Sequence, residues 1–106
     1  HELFSLDQRP TAIFALTDVT AVGVLHAAKE LGVSIPQDVS VMGYDDLPIA
    51  SYMLPALTTV RQPLTQMGEV AADLLLESIR NPDFEPQKAV LTTQLIVRHS
   101  TAPPAV

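Results

Sequence analysis

Asp45 and Asp46 close the stretch D-V-S-V-M-G-Y-D-D, Asp38 to Asp46, and are the residues best placed to do chemistry. A carboxylate just past a strand that ends in Gly43-Tyr44 can accept hydrogen bonds from hydroxyls or ring N–H groups of a small ligand. In open parallel sheets ligands sit beyond the carboxyl ends of the strands, which is where Asp45 would project. The other use of such a residue is to cap a helix or tighten a turn. Pro48 puts the next helix start nearer Asp46 and Leu47, so Asp46 is the better cap and Asp45 the better ligand acceptor.

Thr17 ends the neighbouring apolar stretch and should reach the same sheet edge, where its hydroxyl can contact ligand or bond the helix start beside Asp18. Tyr44 and Phe14 can stack on a sugar face or a base, but packing is the commoner use of an aromatic in or beside a buried strand, and Phe14 is expected in the core. Arg61 is expected in an ion pair. His26 either serves a subunit contact or sits half exposed. Catalysis by Asp45 and Asp46 is not expected, because adjacent strand residues point to opposite faces and no His, Lys, Ser-His pair or Gly-rich phosphate loop stands near them. The chain is read as a non-enzyme without a cofactor.

The elements that must position these residues follow from periodicity. Thr11 to Leu16, T-A-I-F-A-L, is a continuous apolar run and reads as a parallel strand covered on both faces. Asp18 is the expected N-cap of a helix from about Val19 to Leu31, with Val22, Leu25 and Ala28 on its apolar stripe and Gly32 as its stop. Val39 to Gly43 is the second strand, Pro48 to about Met53 a short helix, and Leu57 to Arg61 the third strand. From Pro63, the residues Leu64, Met67, Ala71, Leu74 and Leu75 repeat at helical spacing until Asn81-Pro82. Lys88 to Arg98 reads as one long strand, and the tail Ser100 to Val106, with Pro103-Pro104, as frayed.

Composition narrows the function. The chain has 106 residues with twelve acidic and six basic side chains, a formal net charge of -6, and its Lys and Arg are spread singly. Phosphate-backbone binding needs clustered cations, so direct DNA binding by these residues is not expected. The absence of cysteine excludes disulfides and thiolate metal sites, and His1, His26 and His99 are too far apart to suggest a local metal-ligand motif. Apolar runs fall far short of the ~20 residues that span a bilayer, so no membrane anchor is expected. The opening H-E-L-F-S-L, without an initiator methionine or signal peptide, reads as the tail of a helix, and the chain as a fragment of a longer protein.

R-P-T-A-I-F-A, A-V-G-V-L-H-A-A-K-E-L-G-V-S-I-P-Q-D-V-S-V-M-G-Y-D-D, L-T-T-V-R-Q-P and L-T-T-Q-L-I-V-R-H-S-T, in this order, resemble the effector-binding domain of LacI/GalR-type bacterial transcription regulators. The resemblance covers about Pro10 to Pro103. It implies an α/β fold of the periplasmic-binding-protein-like type I, a parallel sheet with flanking helices, in which two lobes joined by three crossovers hold a small effector. Residues 1–62 would then belong to the C-terminal lobe, 63–99 would supply a helix and strand of the N-terminal lobe, and 100–106 would be a tail. The resemblance matches Asp45 to the effector-contacting carboxylate, Thr17 to a position usually held by asparagine, and Leu64 to a pocket-lining position; Tyr44 is grouped with them. At Thr17 a shorter hydroxyl replaces a donor-and-acceptor amide.

The same resemblance puts Val22, Leu25, His26, Tyr52 and Met53 on dimerising surfaces. It implies a cytoplasmic homodimer that answers to a small molecule, with a sugar as the expected class, and touches DNA only through an N-terminal headpiece. A periplasmic solute receptor of the same fold is the alternative, and would carry a secretory signal upstream instead of a headpiece.

Overall fold

The β-prone and helical segments assemble around small side chains. The computed structural model describes residues 1–104, which fall into two units: His1–Arg61 with the described residues from Gln94 onward, and Gln62–Thr93. In the first unit, strands β1 (Ala12–Phe14), β2 (Ser40–Asp45), β3 (Thr58–Arg61) and β4 (Gln94–Ile96) form one sheet in that order. β1, β2 and β3 run parallel, and β4 is antiparallel to β3. Helix α1 (Asp18–Glu30) links β1 to β2, and the short α2 (Ile49–Tyr52) links β2 to β3.

The packed side of the sheet is lined by alanines and branched residues. Ala15, Ala21, Val41, Ala50, Met53 and Leu57 make one buried cluster, with Val24, Leu25 and Ile35 packed against it. Phe4, Ala27, Ala28, Val33 and Val39 make a second. Alanines on α1 let its backbone approach the sheet closely, so its buried face centres on Ala21, Ala27 and Ala28, whereas Val22 is 38% exposed. Leu25 and Ala28 of the expected stripe lie on or beside this face and Val22 turns away. Gly32 ends the helix with φ +68°, a conformation that glycine adopts without a Cβ clash.

Three expectations are corrected here. Phe14 is not core: it is 57% exposed, because β1 is the edge strand and the packed side of the sheet is the Ala15 and Val41 side. The strand expected over Lys88 to Arg98 shrinks to Gln94–Ile96, since Gln94 already pairs with Arg61, the last residue of β3. Residues 94–99 therefore belong with the first unit, apart from the rest of the expected 63–99 segment.

The third correction concerns the tail. Ser100 is fully buried; its Oγ donates to the Val41 carbonyl at 2.6 Å and accepts from the Thr58 amide at 2.8 Å. The Val41 amide donates to the Ser100 carbonyl at 2.8 Å, and Ala102 and Ser40 exchange two further hydrogen bonds. Backbone groups of β2 and β3 that have no strand partner are satisfied this way, so Ser100–Ala102 is seated where fraying was expected. The part of that expectation on Ala105 and Val106 lies outside the described residues.

In the second unit, α3 (Leu64–Arg80) follows Pro63 and stops at Asn81, as its periodicity predicts. It buries no residue; Leu64, Met67, Leu75 and Ile79 are all exposed.

Replacing Ser100 with alanine leaves the Thr58 amide and the Val41 carbonyl each short of a buried partner. Urea unfolding of the full-length parent protein should show a loss of roughly 2–4 kcal/mol for Ser100→Ala. A loss under about 0.5 kcal/mol, the range of ordinary surface substitutions, would mean that the tail is not structurally seated.

Candidate functional site

The carboxyl ends of β1, β2 and β3 form one edge, and a buried carboxylate holds it together. Asp18, the first residue of α1, is 0% exposed. It accepts from Thr59 Oγ1 on β3 at 2.5 Å and from the Leu47 amide after β2 at 2.7 Å. Between them Gly43 leaves the necessary room: a Cβ there would lie 2.5 Å from Asp18 Oδ1 and 2.8 Å from Leu57 Cδ2. The expected helix cap is displaced by one residue, because Thr17 supplies it by accepting from the Thr20 amide at 3.1 Å. Thr17 Oγ1 also shares a hydrogen bond with Thr20 Oγ1 at 2.9 Å, so its hydroxyl serves the helix start.

Past Gly43 the backbone is strained. β2 extends through Asp45, two residues beyond the expected end, and Asp45 pairs in register with Arg61. Asp45 has φ +117° and Asp46 φ +58°, both in the region that side-chain-bearing residues avoid. Such conformations cost of order 1–3 kcal/mol each and persist where the surroundings over-determine them. Here the surroundings are Asp18 on the Leu47 amide and two arginines on Asp46.

Asp46 is not the helix cap that its position suggests; α2 has no side-chain cap. Its carboxylate, 5% exposed, accepts from Arg61 Nε at 2.6 Å and from Arg98 Nη2 at 2.7 Å. Arg98 Nη1 donates to the Leu57 carbonyl at 2.8 Å, which fixes the guanidinium. Burial pushes the Asp46 carboxyl up, but the hydrogen bonds and charges of Arg61 and Arg98 outweigh it and hold it below the ordinary carboxylate value. The ion pair expected of Arg61 is present. Arg98 escaped the sequence reading; alternation along the last strand marked its face but not its partner.

Of the expected site residues, Tyr44 and Asp45 end β2 and Thr17 caps α1 after β1. Phe14 contacts Tyr44 edge-on, with ring centroids 6.5 Å apart and planes at 72°. Leu64 opens α3 in the second unit and is 49% exposed. Elsewhere on the first unit, Val22, Leu25, His26, Lys29, Met53 and Leu54 line a hollow of about 240 Å³. Met53 is also a core residue, His26 Nδ1 lies 3.8 Å from Glu30, and Tyr52 is 81% exposed. Among the described residues no group of three His, Asp or Glu side chains could hold a metal ion, and no helix is long and apolar enough to cross a membrane.

Residues 1–101 match the family described as periplasmic binding protein-like domain. The HTH-type transcriptional repressor PurR of Escherichia coli O1:K1 is 46% identical over 101 residues, which are 95% of this chain and 30% of that protein. A LacI family transcriptional regulator from Enterococcus faecalis V583 with bound ribose superposes with a TM-score of 0.88 at 41% identity, covering 96% of this chain and 38% of that one. The complex of the transcriptional regulator CelR with cellobiose gives 0.81 at 39%, covering 85% and 28%. The chain thus spans about a third of the length of the relatives it matches.

Two substitutions probe this geometry by denaturant unfolding of the parent. Gly43→Ala drives a methyl into Asp18 and Leu57 and should cost about 1–3 kcal/mol or more; an unchanged midpoint would contradict the close packing. Asp46→Asn should cost stability at neutral pH. Because the folded Asp46 carboxyl lies below its ordinary value, its contribution is complete above about pH 4 and is lost as pH falls through the folded value. The gap between wild type and Asp46→Asn should therefore close in acid. A gap that stays constant down to about pH 2 would contradict the clamp.

Proposed function

The chain belongs to the periplasmic binding protein-like domain family, and on that premise we propose that it is the effector-sensing part of a bacterial LacI-type transcription regulator. The observation that carries this reading is Asp45, held in a strained conformation at the carboxyl edge of three parallel strands, next in sequence to Tyr44 of the aromatic pair. Strain of this kind gathers where a side chain must be presented to a ligand. A carboxylate with an aromatic neighbour suits a polyhydroxylated molecule, because it accepts from hydroxyls while the ring faces C–H surface. Solved relatives at about 40% identity carry ribose and cellobiose, which supports a sugar as the effector class.

In this reading Asp45 accepts from effector hydroxyls, Tyr44 lines the site, and Thr17 contributes its hydroxyl while capping α1. No bond in the effector is made or broken. The likeness to transcription regulators favours a cytoplasmic parent, which would bind DNA through a headpiece outside these residues, over a periplasmic receptor. The effector would act by binding one arrangement of the parent more tightly than another, which couples its concentration to operator affinity. The hollow between α1 and α2, with Val22, Leu25, His26 and Met53, and the exposed Tyr52 are the proposed dimer surface.

Thermal unfolding of the full-length parent with ribose tests the reading. A ligand at 100 times its dissociation constant stabilises by about 2.7 kcal/mol, and Asp45→Ala should abolish the shift. A shift that survives the substitution would remove Asp45 from the site.

A further inference from the structure

Asp46 stands one residue beyond the proposed ligand acceptor, yet its carboxylate is turned to two arginines, one ending β3 and one following β4. Arg61 is the last residue of β3, after which the backbone enters the Gln62–Thr93 unit. Arg98 follows β4, whose first residue, Gln94, is where the backbone returns. One buried carboxylate therefore ties the turn after β2 to both points of departure and return. The bidentate use of Arg98, with Nη1 on the Leu57 carbonyl and Nη2 on Asp46 Oδ1, is a fork geometry that lysine cannot copy.

Two consecutive residues at positive φ are uncommon, and the contacts of Leu47 and Asp46 hold the backbone on this course. The Leu47 amide is fixed by Asp18 on one side of the pair. The Asp46 carboxylate is fixed by Arg61 and Arg98 at its centre. With the turn held at Asp46 and at Leu47, the backbone that carries Asp45 is oriented in advance of any ligand, which lowers the ordering cost of binding.

We infer that Asp46, gripped by Arg61 and Arg98, is a positioning residue: it holds the strained turn that presents Asp45 and joins that turn to the strands flanking the Gln62–Thr93 unit. The inference rests on the reading of Asp45 as ligand acceptor. Asp46 itself touches no ligand.

Two measurements on the full-length parent test it. In the absence of ligand, amide hydrogen exchange at Asp45–Leu47 should quicken about tenfold in Asp46→Asn and Arg98→Lys, the loss expected for one charge-assisted hydrogen bond, while exchange at Val41 stays as in wild type. Calorimetry with ribose should then show affinity weakened about tenfold in both variants, with Asp45→Asn losing binding altogether. Arg98→Lys retains the positive charge, so it carries the test if Asp46→Asn fails to fold. Unchanged exchange at Asp45–Leu47 in the variants overturns the inference. So does wild-type ribose affinity in the clamp variants when Asp45→Asn has lost it, an outcome that leaves Asp45 as the acceptor. Wild-type affinity in Asp45→Asn removes the acceptor reading and this inference with it.

Discussion

A buried carboxylate laid across a glycine organises the first unit. Asp18 lies where water cannot reach it, and a polar group in such a place is costly unless it is hydrogen-bonded. Its two partners, Thr59 Oγ1 and the Leu47 amide, come from β3 and from the turn after β2. That requirement dictates the surrounding sequence. Residue 43 must lack a Cβ, residue 59 must offer a hydroxyl, and α1 must begin at Asp18, which leaves the cap to Thr17. The N-terminus of α1 is thereby tied to the carboxyl edge of the sheet.

The Asp46 clamp extends the same logic. Asp18 fixes the backbone after the turn, and Arg61 and Arg98 fix the turn itself. Together they help sustain two consecutive residues at positive φ, a conformation of order 1–3 kcal/mol each. The two anchors differ in exposure. Arg98 is 18% exposed and forked onto a carbonyl, whereas Arg61 is 52% exposed, so Arg98 carries more of the hold.

Local signals were legible in the sequence where one element decides the outcome. Helical spacing placed α3 within a residue, Gly32 marked the end of α1, and the β-prone runs marked β1, β2 and β3. The position of Asp45 at a strand end followed from Gly43-Tyr44. What stayed hidden depends on partners distant in the chain. Asp18 and Thr17 are both good caps by type, and only Gly43 and Thr59, 25 and 41 residues away in sequence, decide that Asp18 is buried instead. Asp46 looked like a cap because Arg98, 52 residues on, is invisible locally. Ser100 sits in a proline-containing tail that reads as frayed, yet it fills the gap between β2 and β3. Phe14 has the composition of a core residue, but the sheet is packed on the other face.

The first unit thus has an edge of three parallel strands that carries an aromatic pair and the Asp45 and Asp46 carboxylates, and it is similar to solved regulators that hold ribose and cellobiose. The most direct measurement is a crystal structure of the full-length parent grown with ribose. The sugar should lie at the carboxyl edge of β1–β3 with a hydroxyl within hydrogen-bond reach of the Asp45 carboxylate, and with Asp46 still held by Arg61 and Arg98. A sugar bound elsewhere, with Asp45 facing solvent, would contradict the assignment of this edge as the sensing site.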